Sequence, residues 1–105
     1  NHIKKYYSEL TGIVRGYIER ELNIPALEST TDELIDVIKD FSDVKSIETN
    51  KETIQKLKEL LQESDLVKFA KSKPMSHEIE QDRKDAKDVI DNLKPKKEVV
   101  EDEVE

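Results

Sequence analysis

Apolar residues recur along this chain at steps of three and four, in four successive runs. The first run is Ile3, Tyr6, Tyr7, Leu10, Ile13, Val14, Tyr17, Ile18 and Leu22. Side chains at these steps share one face of a helix, so the spacing predicts a helix from about Ile3 to Leu22. Gly12 and Gly16 fall inside it, each costing about 1 kcal/mol relative to Ala. Their spacing matches the small-xxx-small pattern that lets helices approach closely, although plain weakening of the helix explains them as well. Asn23 suits the left-handed position that ends a helix. The segment Ile24-Pro25-Ala26-Leu27 reads as an apolar loop, with Ile24 and Leu27 folding back onto the core.

The second run opens on Thr30-Thr31-Asp32-Glu33, a capping box with Thr30 as N-cap. Leu34, Ile35, Val37, Ile38 and Phe41 follow, giving about three turns of helix. Residues 42–50 are a polar connection with Val44 and Ile47 as candidate anchors. Thr49 with Glu52 suggests a second capping box. The third helix then carries Ile54, Leu57, Leu60 and Leu61. Its continuation, Leu66, Val67, Phe69 and Ala70, is out of phase with that stripe. A kink or a rotation of the buried face at Ser64-Asp65 is therefore expected, and Pro74 closes the segment. Ser76 is the expected cap of a fourth helix bearing Ile79, Ala86, Val89, Ile90 and Leu93. Asp82 and Arg83 interrupt that stripe, which makes it the weakest packing face of the four. Pro95 stops it. The expected architecture is all-α, a four-helix antiparallel bundle over residues 1–94. Residues 95–105 have little apolar content and many Glu, so a disordered acidic tail is expected there.

Composition narrows the class. At 105 residues the chain is one domain. Charged residues make up 41% and apolar residues 34%, below the usual ~45–50%, which suits a thin core. The net charge of −7 is uneven: +1 over 1–22, −5 over 23–50, +2 over 51–73, −2 over 74–94 and −3 over 95–105. No segment has the clustered Lys and Arg that counterion release from nucleic acid requires, and an anionic membrane surface is disfavoured likewise. With no Cys, thiolate chemistry is excluded. No apolar run reaches the ~20 residues that span a bilayer. The first residue is Asn rather than Met, so the native protein is expected to extend upstream.

Reactive constellations are scarce. His2 and His77 have no convergent ligands for a metal. Asp32/Asp36/Asp40 and Asp85/Asp88/Asp91 lie on faces the pattern assigns to water, where nothing raises a carboxyl pKa for acid–base work. Two glycines make no phosphate loop. Tyr6, Tyr7 and Tyr17 fall on the core stripe. Helix two, the connection and helix three imitate a helix-turn-helix, but residues 42–50 exceed the ~3–4 residues of that turn. The candidate reading helix also mixes Lys51, Lys56 and Lys58 with Glu52, Glu59 and Glu63. No catalytic residue, metal ligand or cofactor site is expected.

Three stretches carry a resemblance. They are Lys5-Tyr6-Tyr7-Ser8-Glu9-Leu10-Thr11 followed by Tyr17-Ile18-Glu19-Arg20, then Ile24 to Ile35, then Leu60 to Lys71. Together they resemble the C-terminal cytoplasmic region of single-pass membrane proteins of Bacteroidetes, encoded beside von Willebrand-type Bat (aerotolerance) proteins. The resemblance covers most of residues 4–80. It carries over no catalytic residue. It implies a membrane anchor upstream of Asn1 and a place on the cytoplasmic face of the inner membrane.

The leading expectation is a non-enzymatic protein-interaction or structural module with a protein partner. A helical nucleic-acid-binding regulatory domain is the alternative, and an enzyme comes third. The candidate interaction surface is Leu66, Lys68, Phe69 and Lys71, because the out-of-phase stripe has more apolar surface than one helix face can bury. The competing expectation is that a kink turns Leu66, Val67, Phe69 and Ala70 all inward.

Overall fold

The computed structural model describes residues 2–96. Four helices form in order: α1 (His2–Leu22), α2 (Thr31–Asp43), α3 (Lys51–Lys68) and α4 (Ser76–Asn92). They build an all-α bundle around one core, whose fully buried large side chains include Tyr7, Ile18, Leu34, Ile38, Leu57, Leu60 and Leu93. Among the described residues the expected disordered tail is represented only by its start, and residues 97–105 lie outside them.

The antiparallel packing is centred on α3, which touches all three other helices. Lys56 on α3 meets Asp88 late in α4, and Thr31 at the start of α2 meets Asp65 late in α3. Tyr7 bonds Asp82, and ten residues on Tyr17 bonds Leu93, so α1 and α4 run side by side in the same direction. Because α2 also opposes α3, the 23–30 segment has to travel back along α1 before α2 begins. Asn23 turns the chain with φ 61°. Arg15 then donates to the carbonyls of Ala26 and Ser29 at 2.8 and 2.7 Å, while the Glu19 carboxylate accepts from Leu27 N–H. Ile24 and Ala26 are buried by this return. Leu27, expected to fold inward, is 57% exposed instead, since the adjacent Ala26 takes the inward position.

Local signals decide the helix ends. Thr30 caps α2 with both halves of its capping box formed. The cap of α3 is Asn50, not Thr49: its side chain accepts from Thr53 N–H at 2.8 Å. Thr49 Oγ1 is left buried and without a partner. For α4 the cap position is Met75 rather than Ser76, and the Glu78 carboxylate accepts from Met75 N–H. Pro74 does not close α3, which ends at Lys68. Ala70 takes a left-handed conformation, its N–H reaching Val67 O while Lys71 N–H reaches Leu66 O. Lys45 ends α2 in the same way, with Lys45 and Ser46 N–H reaching Ser42 O and Phe41 O. Both are Schellman ends built without glycine.

A short two-stranded pairing adds to the all-α bundle between the 42–50 connection and the chain just after α4. β1 (Ile47–Glu48) pairs antiparallel with β2 (Lys94–Pro95), Ile47 opposite Pro95. Ile47 is buried, whereas Val44 is exposed, so only one of the two candidate anchors acts as one. Pro95 therefore belongs to the packed domain rather than to the tail. It can stand in this two-residue edge because an edge strand leaves some N–H positions unused. No described helix is long and apolar enough to cross a membrane.

Candidate protein-interaction surface

The out-of-phase stripe resolves by division. α3 continues through Ser64-Asp65, Val67 turns into the core and Ser64 is buried beside it. Leu66 stays 44% exposed and Phe69 73% exposed. The expectation that all four turn inward is thus corrected: a helix of one pitch cannot aim residues 66, 67 and 69 at one face, and the chain leaves the helix at Phe69. Lys68 and Lys71 are exposed beside them.

Phe69, Lys68, Leu27 and Gly12 all line one open cleft of about 420 Å³. A Cβ added at Gly12 would meet nothing within 4 Å, and one at Gly16 only Arg20 Nη1 at 3.6 Å. Close helix packing is therefore not what these glycines provide. Gly12 instead leaves the cleft deeper than any other residue would. Leu66 faces a neighbouring hollow with Thr30, Thr31, Asp32, Gln62 and Asp65. Of the four residues expected at the surface, Lys68 and Phe69 share one cleft, Leu66 borders the next, and Lys71 closes the helix end.

The polar wall of the Phe69 cleft is fixed. Thr31 Oγ1 donates to Asp65 at 2.7 Å, and Arg15 reaches Thr31 Oγ1 at 3.4 Å. Burial pushes the Arg15 guanidinium below its ordinary range, partly offset by Asp65. Its bonds to the Ala26 and Ser29 carbonyls hold the returning 23–30 segment, so Arg15 shapes the cleft by placing Leu27. Two exposed apolar groups on a rigid frame present binding area without a large ordering cost.

Other polar groups bond one another within the packing. Tyr7 is buried in the core, edge-to-face with Tyr6 at 5.7 Å, and its hydroxyl donates to Asp82. Burial raises the Asp82 pKa against the lowering effect of that bond, with Glu63, Asp85 and Glu78 raising it further. Burial and Asp82 together raise the Tyr7 pKa. Asp82, which looked like an interruption, is the partner of a core tyrosine. Asp85 is a second correction: it is 8% exposed rather than on a wet face, and accepts from Gln81 at 3.0 Å. An acid inside an apolar stripe was the sequence signal for such a phenol–carboxylate pair. No three His, Cys, Asp or Glu among the described residues gather as metal ligands. Compared with protein-family models, curated proteins and solved structures, the chain matches none.

Proposed function

We infer that this domain is a non-enzymatic protein-interaction module that engages a protein partner through the cleft between Phe69 and Leu27. The observation that carries the reading is Phe69 itself, 73% exposed at the end of α3 and lining one cleft with Leu27 and Gly12. Aromatic side chains at the centre of such surfaces supply most of the contact energy, and Lys68 and Lys71 form a charged rim. The resemblance over residues 4–80 supports a place on the cytoplasmic face of the inner membrane, with the anchor upstream of Asn1.

The test replaces Phe69 by a photo-reactive phenylalanine analogue in the full chain and illuminates it in the source organism. One discrete cross-linked protein, lost in a Leu27→Ser background and weakened by Lys68→Glu with Lys71→Glu, supports the reading. Cross-linking to nucleic acid, or a protein pattern indifferent to Leu27, overturns it.

A further inference from the structure

The two halves of α4 are attached by different chemistry. From Ala86 onward the attachment is apolar: Ala86, Val89 and Leu93, just past the helix end, are all buried in the core. Lys56 bonds Asp88 in this half, and Tyr17 bonds the Leu93 carbonyl. From Ser76 to Lys84 no residue is buried. Ile79 packs against the core only in part, and the Tyr7–Asp82 bond ties this half to α1. A segment with few buried apolar contacts can open without the rest of the domain. Buried Pro74 ahead of it and Ala86 behind it mark its ends.

That tie sits in acidic surroundings. Glu78, Asp82 and Asp85 follow at steps of four and three, so one stripe of α4 carries three carboxylates. Glu63 of α3, whose carboxylate accepts from Ser72 at 2.6 Å, is close enough to repel Asp82. Asp85 is buried and accepts from Gln81. The bases around the stripe are committed or exposed. Lys56 of α3 attracts Asp85 but is bonded to Asp88. Arg83 pairs with Glu80, and His77 and Lys84 are exposed. Tyr7 gives Asp82 a hydrogen bond and no positive charge. An ionised Asp82 is therefore costly in the packed position, through burial first and then through its acidic neighbours. Opening returns the carboxylate to water and relieves that cost.

We propose that residues 76–85 form an acid-tightened flap, which lies firmly on α1 while Asp82 holds a proton and opens locally over Tyr7 once Asp82 is ionised beside Glu63, Glu78 and Asp85. One proton accompanies the step and leaves Asp82 for solvent. The closed flap binds that proton more tightly than the open one. Opening therefore becomes easier as pH rises from about 3.9 through the raised value, and no easier above it. His77 works in the opposite sense, since charge gained in acid at the positive end of the helix would loosen the flap there. The flap contributes no residue to the Phe69 cleft, so it stands or falls apart from the interaction reading.

The experiment is amide hydrogen exchange of the full chain between about pH 4 and about pH 7. Protection is taken against an unstructured peptide at the same pH, which removes the base catalysis of exchange itself. The quantity read is the ratio of protection at residues 79–85 to that at residues 88–92, in which global unfolding cancels. The ratio should fall severalfold as pH rises, by no more than about tenfold per pH unit for one proton released. Asp82→Asn keeps the shape and an acceptor for Tyr7, and should hold the ratio flat at its acid value. Circular dichroism checks that this variant folds. If it does not, Glu63→Gln, which leaves α4 untouched, should move the fall to lower pH. A wild-type ratio that stays constant or rises with pH overturns the proposal. So does a fall that persists in Asp82→Asn or is unmoved in Glu63→Gln.

Discussion

The two flanks of α3 differ in what they leave open to solvent. Toward α1 and α4, three side-chain bonds tie the helices together: Tyr7 with Asp82, Tyr17 with the Leu93 carbonyl, Lys56 with Asp88. Toward α2, Lys39, Lys51 and Lys58 line a cleft with no ion-pair partner among the described residues, and Leu27, Leu66 and Phe69 stay open to water. The difference separates what holds the domain together from what it can present. Buried polar groups are costly unless bonded, so the first flank tolerates little change. Exposed groups without partners contribute little to stability and are free to serve recognition.

The largest effect should come from the sealed flank. Tyr7→Phe removes the donor to Asp82 and should cost about 1–3 kcal/mol in a denaturant melt. The pH dependence sharpens it. Folded Tyr7 holds its proton above the ordinary tyrosine value of ~10. The unfolded chain then binds fewer protons, so stability falls as pH rises past about 10. Tyr7→Phe should remove its share of that slope and leave the share of Tyr17, whose pKa is also raised. Asp82 gives the acid counterpart. Its folded pKa is raised, so its stabilising contribution is lost as pH climbs from about 3.9 through the raised value. Without the Tyr7 bond, which lowers that pKa, the window should extend further upward.

Thr30→Ala comes next, at about 1 kcal/mol, because both bonds of the capping box are formed. An unchanged melting midpoint would reject the cap. Gly12→Ala should act in the other direction. A Cβ there meets open space, so helix propensity alone should raise stability by a little under about 1 kcal/mol while filling the floor of the Phe69 cleft. A gain in stability with a loss of partner cross-linking would set the two flanks apart most clearly. Phe69→Ser should give the smallest effect, within about 0.5 kcal/mol in the same melt. A larger loss would mean that Phe69 belongs to the sealed flank.

What the sequence made legible was local or periodic. The four stripes and the Thr30–Glu33 box depend on residues within one turn of each other, and both formed. The α3 cap moved by one residue because Thr49 and Asn50 are both good caps, and Asn50 reaches Thr53 N–H. The β1–β2 pairing was invisible, since two residues per strand show no alternation. Asp82 read as an interruption because its partner lies 75 residues away. Of the candidate interaction surface, Phe69, Lys68 and Leu66 were legible from the phase shift after Leu61. Leu27 and Gly12 were not, because the return of residues 23–30 along α1 is a tertiary event. The α2–α3 lysine cleft was hidden by summing charge along the chain, which placed Lys39 in a segment of −5 and its companions in one of +2.

The shared direction of α1 and α4 has a mechanical consequence. The chain enters α1 at one end of the bundle and leaves α4 at the other. Tension applied at His2 and Lys96 would therefore load the two helices in shear, straining the Tyr7–Asp82 and Tyr17–Leu93 bonds together instead of peeling them in turn. A force ramp across those positions should show one rupture rather than a staircase. A pull along that axis loads α1 and α4 directly and leaves the α2 flank outside the line of force.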